Sequence, residues 1–146
     1  MTLTSSATIQ IQKPIDQVYE SIINPTHMTN YFISESNGRL ETGKELLWEF
    51  PEFPGRYPIS NIQVEPNLSV SFVWDPETVV RIGLEAQEDN STVVKVTEGA
   101  KENNEQNLKW LADNSSGWGN FLACMKAYLD HGINLRKGAY DFMRKN

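Results

Sequence analysis

The chain has 146 residues, 39% of them hydrophobic and 10% aromatic, which is the size and apolar content of one domain with a sizeable core. Its 19 acidic against 13 basic side chains leave a net charge of −6, and the Lys and Arg are scattered, so a polyphosphate partner such as nucleic acid is repelled. A lone cysteine, Cys124, excludes an internal disulfide and a cysteine-rich metal site, and it suits a reducing compartment.

The opening "MTLTSSATIQIQKP" lacks a basic stretch followed by an apolar run. Nowhere does an apolar run approach the roughly 20 residues of a membrane span, so the expected location is the cytoplasm. Within the opening, Ala7, Ile9 and Ile11 alternate as on a half-buried strand, which Lys13-Pro14 ends. Pro14 then suits the first position of a helix in which Ile15, Val18, Tyr19 and Ile22 share a face, until Asn24-Pro25 breaks it. A second short helical piece is expected in "PTHMTNYF". Two hairpin strands are expected in "ESNGRLETGKELLWEF", whose Asn37-Gly38 and Thr42-Gly43 favour turns.

The segment "PEFPGRYP" holds three prolines and is expected to project from a strand end as a loop. Four β-rich runs follow, "ISNIQVEP", "LSVSFVWD", "TVVRIGLEAQED" and "STVVKVTEG", separated by turn residues in the manner of an antiparallel meander. Asn67, Asn90 and Asn114 open glycosylation-type triplets that, without secretion, read as Asn-rich turns. "KENNEQNLKWLADNSS" suggests a short helix anchored by Leu108, Trp110 and Leu111, with Ser115 or Ser116 capping a final helix. On that last helix Trp118, Phe121, Leu122, Met125, Tyr128, Leu129 and Ile133 fall in an arc of roughly 140°. The predicted class is α+β: strand, two short helices, about six strands, and a long helix covering one face of a bent sheet, as a single domain over 1–146.

Three of these segments carry a resemblance. "KPIDQVYESIINP", the hairpin containing Gly43 and above all "GWGNFLACMKAYLDHG" resemble the AHSA-type branch of the START-like (SRPBCC) superfamily, named after the activator of heat-shock protein 90 ATPase. The family's terminal pattern of Gly-Trp, Leu, Leu-Lys, Tyr-Leu-Glu and Gly is met by Gly117, Trp118, Leu122, Met125, Lys126, Tyr128, Leu129, Asp130 and Gly132, with Met for Leu and Asp for Glu. The resemblance implies a helix-grip fold, a curved antiparallel sheet of about six to seven strands wrapped around the C-terminal helix. It also implies a cavity between the two, which relatives use for lipids, hormones or polyketides. Members that act as co-chaperones carry a further N-terminal domain that 146 residues leave no room for, which sets a chaperone role behind a ligand-binding one.

Strand parity says which side chains face the helix. Trp48 and Phe50 share one face with Leu46; Phe72 and Trp74 with Val70; Ile82 and Leu84 with Val80; Val96 with Val94. Together with Trp118, Leu122 and Met125 they either fill the interior themselves or line a cavity of about 300–1,000 Å³. Phe53 and Tyr57 in the proline segment are candidates for its mouth. Glu98 continues the parity of Val94 and Val96 and is either a polar anchor for the cavity or, the reading we favour from sequence, a solvated strand end.

No catalytic residues, metal ligands or cofactor are assigned. His27 and His131 lie on different helices without a Cys or carboxylate at ligand spacing, and His131 reads as a solvated helix end. Cys124 has no local His and reads as structural. Acid–base work by Glu98 and a tyrosine, of the kind the resemblance suggests through cyclase relatives, lacks a second placed group. The expected function is therefore capture of a small apolar ligand, lipid- or polyketide-like, with a chaperone-assisting interaction module and a small cyclase or hydrolase as alternatives.

Overall fold

The computed structural model describes residues 1–144. Strand β1 (Thr2–Ile11) turns Ser5 and Ile11 fully inward, as the alternation requires. Helix α1 (Ile15–Ile23) follows with Pro14 one position further out than expected, as the cap whose carbonyl accepts from the backbone N–H groups of Gln17 and Val18. Asn24 ends it and caps the single turn α2 (Pro25–Met28), its side chain accepting from the Thr26 N–H.

Strands β2 (Glu35–Ser36), β3 (Leu46–Phe50), β4 (Phe53–Glu65), β5 (Ser69–Val73), β6 (Val79–Ala86) and β7 (Thr92–Glu102) form one antiparallel meander, and β1 joins beyond β7. The sheet order is β1-β7-β6-β5-β4-β3-β2. Turns between strands use Asn67 and Asn90 at φ of 59° and 66°, a region Asn tolerates better than most residues. At Gly99 no side chain fits, because a Cβ there would lie 2.7 Å from Thr4 Oγ1 across the β1–β7 irregularity.

Two expectations are corrected. The proline segment is strand: Phe53 pairs with Phe50, Tyr57 with Trp48 and Pro58 with Leu47. Pairing of β4 with β5 begins only at Ser60, so this half of β4 has a free edge, the place where a strand accepts proline. A bulge with Asn61 at φ 49° separates the free half from the half inside the sheet. The second correction concerns the last helix. The stretches on either side of Ser115 form one helix, α3 (Glu105–His131), capped by Asn104, which accepts from the Asn107 N–H. Nothing in "NSSGWG" is a proline, so the hydrogen-bond ladder runs on and Asn114, Ser115 and Ser116 lie within the helix rather than in a turn or cap.

Gly132, at φ 66°, closes α3: its N–H bonds to the Tyr128 carbonyl and that of Ile133 to the Ala127 carbonyl. Ile133 therefore lies beyond the helix and is exposed rather than part of the apolar arc. The curved sheet holds α3 against β1 and β7, with Trp118, Phe121, Leu122 and Met125 buried between them. A C-terminal segment with one 3-10 turn (Asp141–Met143) then doubles back along α3 to its middle, facing the β3–β4 hairpin. Among the described residues no helix is long and apolar enough to cross a membrane.

Candidate functional site

The sequence places large aromatic side chains at strand ends, and the fold brings those ends together. Trp74 follows β5, Phe50 ends β3 and Phe32 follows α2; Phe32 sits 5.3 Å from Phe50, 6.2 Å from Trp74 and 6.2 Å from Trp118, centroid to centroid. Trp74 and Trp118 stack at 5.2 Å with 21° between planes.

At the N–H edges of the stacked indoles lies Glu98, 1% exposed. Its Oε2 accepts from Trp74 Nε1 at 3.1 Å and from Thr78 Oγ1 at 2.7 Å, and its Oε1 accepts from Trp118 Nε1 at 3.1 Å. The solvated strand end favoured from sequence is thereby corrected. β7 carries Glu98 between Ser5 of β1 and Val80 of β6, on the face that Trp118 of α3 and Trp74 cover, so water does not reach it. An indole N–H only donates, and a carboxylate with two accepting oxygens is the group that satisfies two of them at once.

In front of the indoles is a hollow of about 390 Å³ between the β3–β4 hairpin and the first half of α3. Five sequence candidates line it: Phe50, Phe53, Tyr57, Trp74 and Trp118. Trp48, Phe72, Ile82, Leu84, Val96, Leu122 and Met125 do not; they are buried in the core, all at 6% exposure or less. They face the helix as parity requires, and there they meet one another. Trp48 packs edge-on against Phe72 at 5.2 Å, for example.

The remaining lining was not found from sequence. It comprises Phe32, Glu52, Asp113, Asn114, Gly117 and, from the C-terminal segment, Arg136, Tyr140 and Met143. Arg136 lies between the rings of Phe32 and Tyr140, at 5.4 and 5.0 Å, and forms an ion pair with Glu52. Both side chains are largely out of water, 13% and 4% exposed, and Arg136 Nε is buried without a hydrogen-bond partner. Arg144 Nε donates to the Pro51 carbonyl at 3.1 Å and Asn120 Nδ2 donates to the Tyr140 hydroxyl at 2.8 Å, so the segment is tied to the hairpin tip and to α3. A second, smaller hollow of about 280 Å³ lies on the other side of Arg136. The one clue in the sequence was the cluster of Tyr140, Phe142 and Met143 close to the C-terminus.

Of the other chemistry-bearing residues, His27 Nδ1 is 2.7 Å from the Tyr128 hydroxyl, His131 is exposed at the end of α3, and Cys124 is buried, which pushes its thiol pKa up. Among the described residues no group of three His, Cys, Asp or Glu converges as metal ligands would.

The comparisons with known proteins agree with this architecture. The structure of protein SSP2350 from Staphylococcus saprophyticus is 31% identical and superposes with a TM-score of 0.82 over 92% of this chain and 96% of that one. The Aha1 dimer from Colwellia psychrerythraea is 20% identical, with a TM-score of 0.74 over 89% and 98%. DynU16, a protein of the dynemicin biosynthetic locus, is also 20% identical, with a TM-score of 0.78 over 90% of this chain and 48% of its own. No curated protein matches the chain. Residues 12–130 match the family described as Activator of Hsp90 ATPase homolog 1-like protein, and the chain belongs to that family, within the START-like superfamily.

Proposed function

We propose that this protein binds a small apolar molecule, lipid- or polyketide-like, in the hollow between the β3–β4 hairpin and α3, without transforming it. The observation that carries this reading is the composition of the walls. Seven aromatic side chains, Phe32, Phe50, Phe53, Tyr57, Trp74, Trp118 and Tyr140, surround about 390 Å³, within the usual range of roughly 300–1,000 Å³ for small-molecule sites. Phe32 and Trp118 are buried at its base, while Phe53 and Tyr57 stay exposed at the rim, at 43% and 36%, and an apolar guest would cover that surface. Glu98, the carboxylate nearest the wall, has both oxygens engaged, which fits a structural role better than proton transfer. Native mass spectrometry of the purified protein tests the reading, together with Trp emission during titration with fatty acids and polycyclic aromatics. A retained mass or a saturable change supports it; neither, with every probe tried, overturns it.

Family membership favours a second reading, in which the chain assists a heat-shock protein 90 chaperone in the cytoplasm. Adding the protein to that chaperone and measuring association and ATP turnover decides this. No association and unchanged turnover remove it.

A further inference from the structure

We infer that the guest of this hollow carries a compact cationic group, a tertiary or quaternary ammonium, seated against the Trp74–Trp118 wall; this rests on the proposed binding role. Three observations lead to it. The first is the anchoring of the wall: both indole N–H groups donate to Glu98, so a carboxylate lies at the N–H edge of each ring, and donation to it raises the ring's electron density and makes the faces more attractive to positive charge.

The second is the local balance of charge. Glu52 is matched by Arg136, and the exposed Asp113 by Lys109 at 2.7 Å. Glu98 is held by neutral donors, and among the described residues no Lys, Arg or His pairs with it. The site thus keeps one carboxylate that no cation of the chain offsets, 1% exposed and at the N–H edges of the two indoles. A cation in the hollow supplies that offset through the rings, where the surrounding apolar surface weakens screening.

The third is that the lining already holds a cation. The Arg136 guanidinium lies over Phe32 and Tyr140 on one side of the hollow. Its own charge does not oppose a second cation strongly, because Glu52 pairs with it and it is turned against those two rings rather than toward the indoles. Among the described residues no cation lies over Trp74 or Trp118; the two indoles cover one face of each other and Trp118 is 3% exposed, so the open face of the wall is chiefly that of Trp74.

The test compares shape-matched probes by Trp emission: benzyltrimethylammonium, its neutral carbon analogue neopentylbenzene, and the anion phenylacetate. The cation is expected to bind at least about tenfold more tightly than the neutral analogue, and Glu98→Gln is expected to reduce that ratio to about two. Neopentylbenzene binding as well as the cation overturns this inference while leaving the apolar-guest reading standing. Phenylacetate binding best also overturns it and assigns Arg136 as the anchor. Failure of all three probes counts against both the cationic inference and the hollow as a binding site. If Glu98→Gln does not fold, the comparison of probes on the unaltered protein still decides, and an unchanged ratio in a folded variant removes Glu98 from the account.

Discussion

Trp74 and Trp118 come from a strand end and from the middle of a helix, 44 residues apart, and stack at 5.2 Å with both N–H groups on Glu98. Sheet and helix are joined here by polar contacts to a single buried carboxylate. Removing it leaves two indole N–H groups and the Thr78 hydroxyl without their acceptor. Glu98→Ala is expected to cost about 3 kcal/mol or more, since each stranded buried donor costs about 1–3 kcal/mol. Glu98→Gln keeps one oxygen but turns an NH₂ toward a donor, and about 1–2 kcal/mol is expected. Urea unfolding of both variants checks the order; equal stability to the unaltered protein in Glu98→Ala refutes the anchoring role.

Core and rim separate by burial. Leu122 is 1% exposed within the core, whereas Phe53 is 43% exposed at the rim of the hollow. Leu122→Ala is expected to lower stability by about 2–5 kcal/mol through the cavity it leaves. Phe53→Ala is expected to change stability by less than about 0.5 kcal/mol while weakening any apolar guest. Thermal melts and probe titrations on the two variants distinguish the roles.

The Arg136–Glu52 pair fastens the C-terminal segment over the hairpin. Arg136→Met keeps an apolar stem but strands a buried carboxylate, and a loss of about 3 kcal/mol is expected. Adding Glu52→Gln to that variant should recover most of the loss, because the uncompensated charge is then gone. A double-mutant cycle measures this, and limited proteolysis is expected to cut the C-terminal segment faster in Arg136→Met alone.

Glu20 and Arg39 meet through two hydrogen bonds of 2.9 Å, chiefly for which reason the Glu20 carboxyl pKa is lowered to about 2. An unfolded Glu titrates near about 4.3, so the pair contributes stability above that pH and loses it as pH falls toward 2. With side chains 41% and 43% exposed, solvent and salt hold the contribution below about 1 kcal/mol. Carbon-13 NMR titration of Glu20 should give a midpoint near 2 in the unaltered protein and one in the ordinary carboxylate range in Arg39→Ala. The same midpoint in both excludes the pairing.

Much of the architecture was legible because period and punctuation agree along this chain. Alternation in "SATIQIQ" and in the four β-rich runs, the break at Asn24-Pro25 and the arc beginning at Trp118 each state a local preference that packing did not override. The two misread segments were those where composition and pairing diverge. Prolines in "PEFPGRYP" argue against a central strand but not against the free edge that β4 has there. The polar run before Gly117 reads as a separate short helix because Asn114, Ser115 and Ser116 look like a turn and a cap, whereas without a proline to interrupt it the ladder runs on into the final helix.

The sequence by itself determined the order of elements, the faces they bury and the family, since all three follow from short-range patterns of side-chain size and polarity. Tertiary structure alone decided which inward residues are core and which border space. Trp48 and Trp74 have the same parity, yet the first is enclosed at 1% exposure and the second opens on the hollow. It also decided the fate of Glu98 and Arg136. A carboxylate's surroundings depend on strands and a helix that meet only when the sheet closes, and the sequence carries no local signal of that meeting.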